Sequence, residues 1–132
     1  MAPLTFPSRL RLTHDRQFEA VHAARMRKAS GVLSVASLPN GLQHWRLGLA
    51  VSRKCGGAVV RNRIKRCVRE SFRLLQHDLP RLSDGTGLDI VISVRPHVVR
   101  EQGAYQELLQ GLSRTLVEAW EERRSRRPKE TQ

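Results

Sequence analysis

The sequence predicts an α+β fold, a two-layer α/β sandwich in the order α-β-β-(β)-α-β-α. Three observations carry this reading. Apolar residues recur at helical spacing in three separate segments, extended apolar segments lie between them, and turn residues punctuate the joins. The helices and strands alternate irregularly, which favours helices packed on a mixed sheet over a regular α/β repeat.

The first helix is expected over residues 14–26. Thr13-His14-Asp15 offers an N-cap and a first-turn acid, and Phe18, Val21 and His22 follow helical spacing. A strand follows over 30–38, closed by the turn Pro39-Asn40-Gly41. Residues 46–53 form the next strand, with Leu47, Leu49 and Val51 on the core face and small side chains leaving the other face open. Arg53-Lys54-Cys55-Gly56-Gly57 reads as a flexible basic loop. The second helix runs from about 58 to 77 and stops before Pro80. Val60, Ile64, Cys67, Val68, Ser71 and Leu75 share one face of it. The segment 88–94 is the clearest buried strand, broken by Pro96. A last helix over 103–123 carries Tyr105, Leu108, Leu109, Leu112, Leu116, Ala119 and Trp120 on its packing face. Residues 1–122 therefore read as one domain and 123–132 as a basic, disordered tail.

Composition narrows the function. The 132 residues hold 24 Lys or Arg against 12 Asp or Glu, for a net charge of +12. Nine of those cations and a single acid, Glu70, fall within residues 46–73, so two thirds of the surplus sits in this short stretch. A polyanionic partner fits that distribution, nucleic acid before membrane, because neutralising phosphates releases counterions. No apolar run approaches the roughly 20 residues needed to span a bilayer, and the N-terminus lacks the apolar core of a secretion signal; the expected location is cytoplasmic. Cys55 and Cys67 are too few for a disulfide scaffold or a four-ligand zinc site, and the five histidines show no metal-ligand spacing. No paired carboxylates suggest acid/base catalysis by side chains.

The second helix carries the strongest signal. Opposite its apolar face stand Asn62, Lys65, Arg66, Arg69 and Arg73, flanked by Arg61 and Arg63. A charged helix face is usually solvated surface. Here the charges are nearly all of one sign, Glu70 alone excepted, and the i,i+4 pairs Lys65/Arg69 and Arg69/Arg73 each cost an isolated helix about 0.2–0.5 kcal/mol. A ladder that repels itself makes sense when phosphates sit between its rungs, and Arg suits forked contacts to phosphate oxygens. Asn62, at the helix start, is a candidate polar reader. Cys67 fits a small core residue better than a ligand. Phe18 alone reads as core, but His22 one turn on offers a second ring for a stacking surface.

The run Gly48-Leu49-Ala50-Val51-Ser52-Arg53-Lys54, followed by Arg61-Asn62-Arg63-Ile64-Lys65-Arg66 and Val68-Arg69-Glu70-Ser71-Phe72-Arg73, closely resembles the signature of the protein subunit of bacterial ribonuclease P. The resemblance covers about residues 6–120 and includes Phe6-Pro7, Gln17-Phe18 and Val94-Arg95-Pro96. It implies an accessory subunit of a ribozyme that removes the 5′ leader from precursor tRNA, with hydrolysis performed by the RNA. It further implies a left-handed β-α-β crossover, one protein per RNA, no cofactor held by the protein alone, and magnesium in the RNA holoenzyme. Arg61, Asn62, Arg63, Lys65, Arg66, Arg69 and Arg73 are then the expected contacts to the catalytic RNA. Phe18, His22, Ser34, Ser52, Arg53 and Lys54 fall at or near the cleft for the leader. Three departures stand out. His22 and Ser34 occupy positions where larger rings are common, Gly57 sits where polar residues are common, and Ser83-Asp84-Gly85-Thr86-Gly87 lengthens a loop.

A DNA-binding or ribosomal scaffold protein using the same helix is the competing class. No heptads follow the basic run, and strands flank the helix on both sides, which disfavours a basic zipper and a helix-turn-helix. An independent nuclease would need a side-chain metal site, for which the sequence shows no pattern.

Overall fold

The computed structural model describes residues 5–126. Its elements are α1 (Asp15–Ala23), β1 (Arg27–Ser30), β2 (Leu33–Pro39), β3 (Arg46–Ala50), α2 (Ala58–Leu75), β4 (Leu88–Val94) and α3 (Gln102–Arg126). They form a mixed four-stranded sheet in the order β1-β2-β4-β3. β2 is antiparallel to both β1 and β4, whereas β3 and β4 are parallel and joined through α2. This is the α+β sandwich the sequence predicts, with a β-α-β crossover at its centre.

Several boundaries shift for local reasons. Gln17 Oε1 accepts hydrogen bonds from the backbone N–H groups of Thr13 and His14, so the start of α1 is capped from inside the helix and His14, not Thr13, is the N-cap. α1 ends at Ala23 rather than 26, because Arg25 adopts φ 53° and turns the chain into β1. The expected strand at 30–38 corresponds to β2, and a further strand, β1, precedes it where none is expected. Gly31, at φ 55°, makes the tight turn of a β1–β2 hairpin in which Ser30 faces Leu33. β3 stops at Ala50, and Arg53–Cys55 form a short 3-10 turn. α3 continues to Arg126, so the first four residues of the expected disordered tail are helical; 127–132 lie outside the described residues.

The two sheet faces differ. Leu33 and Val35 of β2, Leu47 of β3 and Leu88, Ile90 and Ile92 of β4 belong to the main core. It also holds Ile64, Val68, Phe72 and Leu75 of α2 and Tyr105, Leu109, Leu112, Leu116 and Trp120 of α3. Phe72, outside the apolar arc expected for α2, is buried because Phe6 packs against it with ring centroids 5.6 Å apart. Trp120 donates its indole N–H to Ser37 Oγ at 2.9 Å, satisfying the polar group α3 carries onto the sheet. The opposite face carries a smaller cluster in which Val21 of α1 meets Leu12, Ala36 and Val91, with Phe18 packed against it. Gly48 permits this approach, since a Cβ there would lie 2.6 Å from Phe18 Cε2. One end of this face is fixed by Asp89, 4% exposed, which accepts two hydrogen bonds of 2.7 Å from Arg46 and one of 3.0 Å from Asn40.

Candidate nucleic-acid interface

The pairing register maps the open side of the sheet row by row. Arg27, Ala36, Val91 and Gly48 form one row; the last three lie buried in the region covered by α1. The neighbouring row is Ala29, Ser34, Ser93 and Ala50, all small and none fully buried. Beside α1 this row is an accessible strip of small side chains, the trough that α1 walls on one side. Ser52 lies two residues beyond Ala50, and Ser52, Arg53 and Lys54 are exposed where β3 leaves the sheet for α2.

Within this region the six residues expected at the cleft separate into groups. Phe18 is half-buried with its ring over Gly48, so much of its surface serves the packing of α1. His22 is exposed and Ser34 half-buried, and both are joined by a residue the sequence did not single out. Arg27 donates to Ser34 Oγ at 3.1 Å, and its other terminal nitrogen lies 3.3 Å from His22 Nδ1. Arg27 was missed because an isolated arginine in an exposed four-residue strand has no pattern; only the hairpin register places it beside the other two.

On α2 the expected division of faces holds. Asn62, Arg63, Arg66 and Arg69 are exposed, while Arg61, Lys65 and Arg73 are half-buried. Among the described residues, Arg73 alone of these cations has a carboxylate partner, Glu70. The hydrogen bond from Arg73 holds the Glu70 carboxyl below its ordinary range and raises the pKa of Arg73 in return. Arg61 Nε is enclosed without a hydrogen-bond partner. Arg11, stacked 4.5 Å over Phe6, lines a small cavity with Arg69 and Leu49 and adds a cation where its own segment pairs with Leu47 at the edge of β3. Both cysteines are free thiols; Cys55 is buried, with its thiol donating to the Val94 carbonyl at 3.3 Å, and Cys67 packs at the core margin.

The molecule thus presents a ladder of largely unpaired cations along one helix and, across the open face of the sheet, a trough with Arg27 at its β1 side and Arg53 and Lys54 beyond its β3 side. Comparison with known proteins gives that arrangement a family. The sequence profile of ribonuclease P matches residues 6–120. The chain belongs to the bacterial ribonuclease P protein family. Solved relatives agree. The ribonuclease P protein of Thermotoga maritima is 30% identical with a TM-score of 0.68, over 82% of this chain and 96% of that one. The Staphylococcus aureus ribonuclease P protein is 28% identical with a TM-score of 0.61, over 77% and 90%. A mutant of that protein with defective mRNA degradation activity is 26% identical, TM-score 0.66, over 79% and 85%. As a ribonuclease P protein, the chain is a component of the enzyme that processes the 5′ end of tRNA, and it associates with ribonuclease P RNA, which carries the catalysis. No described helix is long and apolar enough to cross a membrane.

Proposed function

We propose that the two surfaces divide the substrate between them. The α2 cations Arg61, Arg63, Lys65, Arg66, Arg69 and Arg73, with the polar Asn62 among them, hold the catalytic RNA. The trough beside α1 takes the single-stranded leader of precursor tRNA, at Phe18, His22, Ser34, Ser52, Arg53 and Lys54. The observation that carries this reading is the near absence of carboxylates along α2, where Glu70 is already committed to Arg73. Folded RNA offers a dense phosphate backbone to such a ladder, whereas a single strand suits a narrow groove with a cationic rim. One protein acts with each RNA, in the cytoplasm.

Magnesium does not fit the chain's own residues. Guanidinium and ammonium groups repel a cation, and among the described residues no three of His, Cys, Asp and Glu converge on a metal-binding group. The holoenzyme's magnesium belongs on RNA phosphates, and the protein's contribution is to lower the repulsion between two polyanions. The test is cleavage of a precursor tRNA at low magnesium by a bacterial ribonuclease P RNA, with and without this protein. The expected result is strong protein-dependent rescue; cleavage by the protein alone, or no effect of a folded protein, would sink the reading.

A further inference from the structure

α1 turns into β1 and brings together three side chains that lie apart in sequence, His22, Arg27 and Ser34. The Arg27 guanidinium is anchored at two points, through Ser34 Oγ at 3.1 Å and His22 Nδ1 at 3.3 Å. A guanidinium only donates, so His22 Nδ1 accepts and the ring proton resides on Nε2. No carboxylate pairs with Arg27 among the described residues. Its neighbours on the trough floor, Ala29, Ser34, Ser93 and Ala50, supply no ring and no large side chain.

We infer that Arg27 is the leader-gripping residue of this chain. A planar cation held by two hydrogen bonds loses little freedom on binding. Its face stacks on an unstacked base where an aromatic ring would otherwise serve, and its remaining donors reach the adjoining phosphate. Arg27 also positions His22, keeping Nε2–H as a donor toward the strand. The small floor then has a purpose, since bulky side chains there would lift the strand away from the guanidinium. This assignment rests on the proposal that the trough receives the leader.

The experiment uses the holoenzyme reconstituted with a bacterial ribonuclease P RNA, comparing binding of a precursor tRNA bearing a multi-nucleotide leader with binding of mature tRNA. Arg27→Ala should weaken the precursor complex about tenfold and leave mature tRNA within about twofold, the size of one lost charge-assisted contact. Arg27→Lys keeps the charge without the fork and should restore only part of that loss. Imidazole nitrogen shifts should report an Nε2–H tautomer for His22 in the unsubstituted protein and a mixture in Arg27→Ala, which checks the Arg27–His22 contact itself, while the precursor-against-mature split separates gripping the leader from a merely structural role. Equal weakening for both RNAs, or none for the precursor, overturns the inference. Failure of the unsubstituted protein to stimulate cleavage at low magnesium overturns the leader reading itself, so the two failures are distinct.

Discussion

Gly48 shows how one missing side chain seats a helix on a sheet. The Phe18 ring occupies the space a Cβ would need, with Leu12 Cδ1 3.2 Å away. Gly48→Ala must push α1 off the sheet and should cost about 1–3 kcal/mol of stability in urea unfolding. Gly111→Ala should do the reverse. It lies exposed within α3 with nothing within 4 Å of the added methyl, and a gain of about 0.5–1 kcal/mol is expected from helix propensity. Glu70 offers a different measurement. Its carboxyl is held down by Arg73, so any stabilisation from the pair is present above the ordinary carboxylate range and fades as pH falls through the lowered value. Arg73→Ala should move the Glu70 midpoint upward in a side-chain NMR titration.

At the scale of elements, α3 does more than cover the main core. Arg123 stacks 4.7 Å over Trp120 and donates to the carbonyls of Ala24 at 2.8 Å and Arg25 at 3.0 Å, satisfying the end of α1 where the chain turns. Glu121 accepts from the Ser83 backbone N–H and hydroxyl, and Arg124 pairs with Asp84 at 3.3 Å, so the same helix end also fastens the loop before β4. Arg123→Ala should cost about 1–2 kcal/mol and speed amide exchange at residues 23–27. Basic composition alone made residues 123–126 look like a solvated tail, because nothing in a run of arginines announces carbonyls waiting ninety-eight residues upstream. β1 was hidden for a related reason. Arg27–Ser30 has almost no apolar content, and its strand character comes from pairing with β2. By contrast, Leu88–Val94 was legible because a central strand covered on both faces is mostly apolar, as Leu88, Ile90, Val91, Ile92 and Val94 are here. The α2 ladder was legible because its 3.6-residue period sorts charge from core along a single element.

For the whole molecule, net charge governs how it meets RNA. Arg61→Ala combined with Arg63→Ala should weaken assembly with ribonuclease P RNA and reduce the slope of log affinity against log salt by about one per lost phosphate contact. The fold should survive, because the α2 core face of Ile64, Val68, Phe72 and Leu75 is untouched. Unfolding of the double variant would instead make these arginines structural. Such a surface is visible in a sequence as charge density, whereas the trough is not. It exists only once hairpin register, the parallel β3–β4 pair and the seat of α1 have combined residues 22, 27, 34, 50 and 93.

The same architecture divides the molecule's cohesion unevenly. α2 and α3 share a broad core with the sheet, but α1 rests on a cluster whose fully buried members are Leu12, Val21, Ala36 and Val91. Opening of α1 therefore exposes far less apolar surface than global unfolding, and its amides should exchange through a low-energy sub-global event while β4 exchanges only with the whole domain. The wall of the trough is thus its most compliant part. On the proposed reading of the trough as the leader site, a strand of varying sequence would be admitted by a small outward excursion of one short helix, leaving the cation ladder on α2 undisturbed.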